Sequence, residues 1–271
     1  MKELLKRSFF GLIYVLIVYF SLQYNQTKSL MLFVFMIFSL KEFSKLIKIH
    51  FNSALFPSIV IFVGFYLITN LLDIEIETLN FVISFIYVNI LIGSFLITIY
   101  LFFIYFTFDK FSLEDISKIF LAIIYIAIPF SIAQLFKNHL LLSVFIIIWS
   151  SDTFAYLTGK YLGKHKLAEK ISPKKTIEGV IGGMIGSVIV SYFLYQYFDF
   201  SSSFIMLKFM GLSIIIVIFG TLGDLLESRF KRIANVKDSG NVMPGHGGFL
   251  DRLDSFIFAI PFVWAYISIL Q

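Results

Sequence analysis

Long apolar runs broken by short polar segments fill the chain from end to end. Taking apolar stretches of about 17–25 residues as membrane-crossing helices predicts spans at 8–24, 29–49, 53–72, 79–107, 114–135, 139–162, 176–198, 203–230 and 249–270. The fourth is overlong, which strong tilt or division into two pieces would accommodate. The second carries Lys41, Lys45 and Lys48 at spacings of three and four, so its end is expected along the membrane interface rather than across it. The opening MKELLKR and the apolar run after it resemble a signal peptide. No small-residue cleavage site follows and further spans do, so a retained first helix is expected. The pattern predicts an all-α polytopic membrane protein of about nine transmembrane helices.

Composition agrees. The 271 residues are 59% hydrophobic, 19% aromatic and only 14% charged, with mean hydropathy +0.90, far more apolar surface than a soluble core needs. Cysteine is absent, which excludes disulfides and thiolate metal sites and leaves carboxylates, histidines and backbone groups as ligands. Oxygen ligands suit hard cations such as Mg²⁺. Charge also orients the chain. With a cytoplasmic N-terminus, all of the 22 lysines and arginines except Lys28, Lys137 and Lys208 fall on the inner side, while Asp73, Glu75, Glu77 and Asp199 fall outside. That asymmetry follows the positive-inside rule, favours an odd number of spans and puts the C-terminus outside. With no linker, low-complexity tract or repeat, one membrane domain over 1–271 is expected, with 1–140 an N-terminal helical scaffold and 141–271 the catalytic helices and cytoplasmic loops.

Two polar loops share the expected cytoplasmic face, 160–175 and 228–252. The first ends in Ser172, Pro173, Lys174, Lys175 and Thr176 before an apolar run; Thr176 can cap the helix there, and the exposed amides would attract a phosphate. Lys174 and Lys175 are the favoured phosphate ligands, whereas Lys160 to Lys170 serve topology and lipid headgroups equally well. Asp152 lies in the last turns of the sixth span, where a buried charge needs a partner such as a lysine or a metal; a structural interhelical hydrogen bond is the plainer alternative. In GTLGDLLESRFKR, Asp224, Glu227, Ser228 and Lys231 share one helical face, and in GFLDRLDS so do Asp251 and Asp254. Two helix ends with paired carboxylates suit a Mg²⁺ whose remaining ligands are substrate phosphates; salt bridges to Arg229, Arg232 or Arg252 are the alternative. Between them, Pro244 to Gly248 form a glycine-rich turn able to point amides at a phosphate, with His246 as a phosphate contact or acid–base group. Gly179, Gly182, Gly183 and Gly186 are expected to serve close helix packing.

From Ser228 to Asp254 the chain resembles the signature of the phosphatidate cytidylyltransferase (CDP-diacylglycerol synthase) family: the serine, Lys231 and Arg232, Lys237 and Asp238, the PGHGG turn, then Asp251, Arg252 and Asp254. Met243 departs mildly, standing where leucine, isoleucine or phenylalanine is commoner. Asp152 with Ala155, Tyr156, Gly159 and Gly163, and SPKKTIEG at 172–179, also resemble family motifs, whereas 1–140 match only in hydropathy. The resemblance implies transfer of the cytidylyl group of CTP to phosphatidic acid, with CDP-diacylglycerol and pyrophosphate as products and one or two Mg²⁺ ions as cofactor. It further implies phospholipid biosynthesis by a multi-pass homodimer of the inner cell membrane, its site facing the cytoplasm and nucleic acid no partner.

On that chemistry Asp224 and Asp251 hold the metal, with Glu227 and Asp254 in support. Lys174, Lys175, Lys237 and Arg252 take the triphosphate and the lipid phosphate; the amides of Gly245, Gly247 and Gly248 cradle pyrophosphate, and His246 binds rather than acts as base. Asp152, Ser172, Thr176, Ser228, Lys231 and Arg232 complete the expected substrate contacts. A CTP-dependent polyprenol kinase is the nearest alternative. An ion-coupled transporter is disfavoured because the outer helix ends are nearly bare of charge.

Overall fold

The computed structural model describes residues 2–71, 112–202, 205–242 and 247–270. The expected span 79–107, the outer acids Asp73, Glu75 and Glu77, and Met243, Pro244, Gly245 and His246 of the glycine turn lie outside the described residues. The described chain is helical apart from one small hairpin: α1 (Lys2–Ser21), α2 (Asn25–Leu46), α3 (Phe51–Leu71), α4 (Leu113–Ala133), α5 (Asn138–Leu162), β1 (Lys166–Ala168), β2 (Ser172–Thr176), α6 (Ile177–Tyr197), α7 (Met206–Ile233) and α8 (Asp254–Leu270). Among the described residues, α4, α5, α6 and α7 are long and apolar enough to cross a membrane, and Ser8–Ser21, Phe51–Leu67 and Asp254–Ile269 are shorter apolar helices.

Local chemistry explains the boundaries. Ser112 and Asp115 form a reciprocal capping box at the start of α4, Asp115 N donating to Ser112 Oγ at 3.2 Å and Ser112 N to Asp115 Oδ2 at 3.0 Å. Inside α4, residues Ile123–Ala127 widen to a π turn just ahead of Pro129, whose ring would crowd the carbonyl one turn back and which lacks the donor to hold it. Thr176 caps α6 as its sequence suggests, accepting from Gly179 N at 3.1 Å. The last span begins later than hydropathy alone indicates, because Leu250–Arg252 wind as a separate 3-10 turn before α8.

The core is aromatic. Phe43, Phe130, Phe145, Phe209 and Phe256 are fully buried, and Phe145 of α5 stacks on Phe256 of α8 with ring centroids 4.5 Å apart. In lipid, helices gain little from apolar burial against one another, so association rests on close van der Waals fit and interhelical hydrogen bonds. The α5–α6 seam shows that fit. A Cβ on Gly183 would stand 3.0 Å from Ser151 O and 3.3 Å from Ala155 Cβ, and one on Gly179 2.9 Å from Ala155 O. The α7–α8 pair closes the same way, since a Cβ on Gly223 would meet Asp254 O at 2.6 Å.

The end of α2 is packed against the other helices on one side. Ser39, Leu40, Glu42, Phe43 and Ser44 are all buried, while Lys41 and Lys45, and Lys48 just beyond the helix, are exposed. Helix ends assigned to one membrane side also meet one another. Lys28 Nζ donates to Gln134 O at 3.2 Å and Phe136 O at 2.8 Å, and His139 stacks on Phe198 at 5.2 Å. At the opposite end Lys175 reaches Asp224.

Candidate active site

The 160–175 loop is more ordered than its composition suggests. β1 and β2 pair antiparallel, Lys166 opposite Thr176 and Ala168 opposite Ser172. Glu178, in the first turn of α6, pins the loop by accepting from Lys164 N at 3.0 Å and by pairing with His165 Nδ1 at 2.5 Å. Strand alternation then separates two lysines that are adjacent in sequence. Lys174 is exposed, whereas Lys175 is half-buried and its Nζ lies 2.6 Å from Asp224 Oδ2 on α7. Ser172 is half-buried on the strand.

Beside this contact lies a cavity of about 390 Å³ with two unlike walls. One wall is charged, formed by Asp152 of α5, Asp224 of α7, Asp251 and Arg252 of the 3-10 turn and Asp254 at the start of α8. The other is apolar, formed by Phe10, Tyr14 and Val15 of α1 with Ile148 and Trp149 of α5. The close approach of Gly223 to the Asp254 backbone sets Asp224 and Asp254 side by side. Asp254 is buried, accepts from Ser255 N at 2.6 Å and sits in the field of Asp224, Asp152 and Lys175. Asp152 lines the cavity and sits in the field of Lys175, Asp224 and Arg252.

A second carboxylate group stands behind this wall. Glu227 is completely buried and pairs with Lys231, whose ammonium also donates to Asp251 Oδ1 at 2.6 Å. Asp251 Oδ2 accepts from Ser239 N at 3.0 Å and Gly248 N at 2.7 Å. Gly247 is left-handed, at φ +84°, and a Cβ there would come within 2.8 Å of Asp251 Oδ2, so a glycine is required. Burial pushes the Asp251 carboxyl up, but the Lys231 ammonium and the Gly248 amide outweigh it and hold this group below its ordinary value.

The remaining expected residues divide by position. Ser228 Oγ donates to Asp224 Oδ1 at 3.3 Å. Arg232 is exposed and Nη1 donates to Val236 O at 3.4 Å, closing the end of α7. Lys237 is exposed on the following loop. Lys231 is turned inward between Glu227 and Asp251. Thr176 acts as a helix cap, and Gly245 and His246 lie outside the described residues.

Among the described residues, no three histidine or acidic side chains come together tightly enough to enclose an ion by themselves. The charged wall nevertheless fits a hard cation. Four carboxylates face the cavity beside one arginine, and Mg²⁺ typically takes one or two carboxylates and completes its shell with water and substrate phosphate.

Sequence reasoning missed two contributors. The α1 wall, with Tyr14 against Trp149 at 5.7 Å, comes from a helix that hydropathy marks only as apolar. Glu42 of α2 is the other, a buried acid bonded to the signature segment. Its signal is a carboxylate within an otherwise apolar and basic helix, costly to bury without donors.

A family model described as the cytidylyltransferase family matches residues 5–270. The chain belongs to this family. Its curated relatives include the phosphatidate cytidylyltransferases of Staphylococcus aureus (strain COL), 46% identical over 123 residues, and of Staphylococcus haemolyticus, 44% identical over 123 residues; each match covers 45% of this chain and 46% of the relative. That of Staphylococcus epidermidis is 41% identical over 121 residues, again 45% of this chain and 46% of the relative. The chain thus spans about half the length of the curated relatives it matches.

Proposed function

We propose that this member of the cytidylyltransferase family transfers the cytidylyl group of CTP to phosphatidic acid. The observation that supports the proposal is a cavity lined both by charged side chains, Asp152, Asp224, Asp251, Arg252 and Asp254, and by Phe10, Tyr14, Val15, Ile148 and Trp149. A phosphorylated lipid joined to a nucleotide needs both surfaces at once. The names of the staphylococcal relatives support the same substrates.

An ionised oxygen of the lipid phosphate attacks the α-phosphorus of CTP, a new P–O–P bond forms, and the bond to the β-phosphate breaks with its electron pair leaving on pyrophosphate. No proton need be removed from the nucleophile, so positioning and charge neutralisation dominate. Mg²⁺, when bound against Asp224, Asp251 and Asp254, supplies neutralisation of the triphosphate charge. Arg252, on the cavity wall, and Lys175, released from Asp224, would bind phosphate oxygens, with Lys174 and Lys237 as exposed cations at the rim. Glu227 and Lys231 brace Asp251 from behind. The apolar wall orients the lipid and excludes water from the reacting phosphates.

The proposal includes about nine spans, an inner-membrane site facing the cytoplasm with the N-terminus inside and the C-terminus outside, and a homodimer. In purified protein with CTP, phosphatidate and Mg²⁺, CDP-diacylglycerol and pyrophosphate should appear in equal amounts and disappear with chelator. Asp224→Asn should insert normally and lose more than about 10²-fold of this turnover, the scale of one lost electrostatic stabiliser of the reacting phosphates. Full activity in that variant, or no CDP-lipid from the wild type, would overturn the assignment.

A further inference from the structure

Helix α2 carries a single acid, Glu42, and that acid is buried. A buried carboxylate needs several donors, and Glu42 has three from the far end of the chain. Ser239 Oγ donates to Oε2 at 2.7 Å, Leu250 N to Oε2 at 2.8 Å, and Phe249 N to Oε1 at 3.0 Å. Two glycines leave room for it. A Cβ on Gly240 or on Gly248 would run into the Glu42 carboxylate. Glu42 therefore grips the signature segment on both sides of the glycine turn, before it through Ser239 and after it through Phe249 and Leu250.

The reacting wall begins immediately beyond those two amides. Phe249 precedes, and Leu250 opens, the 3-10 turn that carries Asp251 and Arg252; Asp254 follows, and these three line the cavity. Ser239 is held twice, its hydroxyl by Glu42 and its amide by Asp251. Aromatic contacts continue the attachment: Phe35 of α2 lies against Phe249 at 4.8 Å and against Tyr14 of the apolar wall at 6.0 Å.

We propose that Glu42 is a positioning residue for cytidylyl transfer, holding Ser239, Phe249 and Leu250 so that Asp251, Arg252 and Asp254 face the reacting phosphates. This rests on the transferase assignment above. Replacing the carboxylate with an amide sets an NH₂ group against a backbone N–H, because one amide oxygen cannot replace two carboxylate oxygens at these distances. The turn then shifts, and shifts of this scale at a reacting centre lower rates without removing binding groups.

The test is Glu42→Gln in the intact chain, with steady-state kinetics and amide hydrogen exchange measured together. The expected result is a fall in kcat of about 10²-fold with KM for CTP changed less than about threefold, and faster exchange confined to peptides covering 237–253 while α5 peptides exchange as in the wild type. Unchanged kcat, unchanged exchange at 237–253, or exchange rising equally throughout α5 and α6 would each overturn the proposal, the last by showing general loosening instead of positioning. If Glu42→Gln does not insert, Ser239→Ala takes its place, with kcat expected to fall about fivefold, the scale of one lost hydrogen bond, and no fall overturning the clamp. A wild-type protein that forms no CDP-lipid would defeat the transferase assignment instead, and the exchange arm would still decide whether Glu42 clamps the turn.

Discussion

Lys231 shows how one side chain organises a site it does not enter. Its ammonium is the shared counter-charge of Glu227 and Asp251, two carboxylates that burial would otherwise disfavour. The Asp251 carboxyl is held below its ordinary value. A carboxyl lowered by folding stabilises the folded chain at pH values above the ordinary carboxylate range, near pH 4, and that contribution is lost as acid takes the pH down through the lowered value. Lys231→Met removes the counter-charge and raises the Asp251 carboxyl, so the acid limb of the Tm–pH profile should begin at higher pH than in the wild type. Stability at neutral pH should fall by about 3–5 kcal/mol, the usual result of breaking a buried pair. A profile with an unmoved acid limb would mean that Lys231 does not govern Asp251. The identities of these residues were legible in the sequence because acids three apart at a helix end are conspicuous. Their division of labour was not: helical spacing put Asp224, Glu227 and Lys231 on one face, but only packing decides that Asp224 meets the cavity and Glu227 stands behind it.

At the scale of elements, the α5–α6 seam decides where Asp152 and Lys175 stand. Asp152 follows Ser151 on α5, and Lys175 precedes the Thr176 cap of α6, so the spacing of the two helices is also the spacing of the two charges. A Cβ on Gly183 would already press on Ser151 O at 3.0 Å and Ala155 Cβ at 3.3 Å, and a larger side chain would press harder. Gly183→Leu should force the helices apart, lowering stability by about 1–3 kcal/mol as overpacking does and reducing turnover more than expression; activity equal to the wild type would separate the seam from the site. The glycine spacing made this contact readable in advance. The β1–β2 hairpin was not readable, because strands of three and five residues rich in lysine carry no alternation, and its order comes from Glu178 reaching back to Lys164 and His165.

For the whole molecule, hydropathy located α4 to α7 to within a few residues, since long apolar runs are the strongest signal a chain carries. It could not reveal that the N-terminal helices complete the site. α1 supplies the apolar wall and α2 supplies Glu42, contacts across about 200 residues of chain that no local pattern encodes. The cavity is lined by residues from both 1–140 and 141–271. The most direct measurement of the central claim follows two labels through the purified protein, CTP carrying ³²P at the α- or at the γ-phosphate, with phosphatidate as acceptor. Cytidylyl transfer predicts α-label in the lipid product and γ-label in pyrophosphate. γ-Label in the lipid, or neither label there, would contradict it.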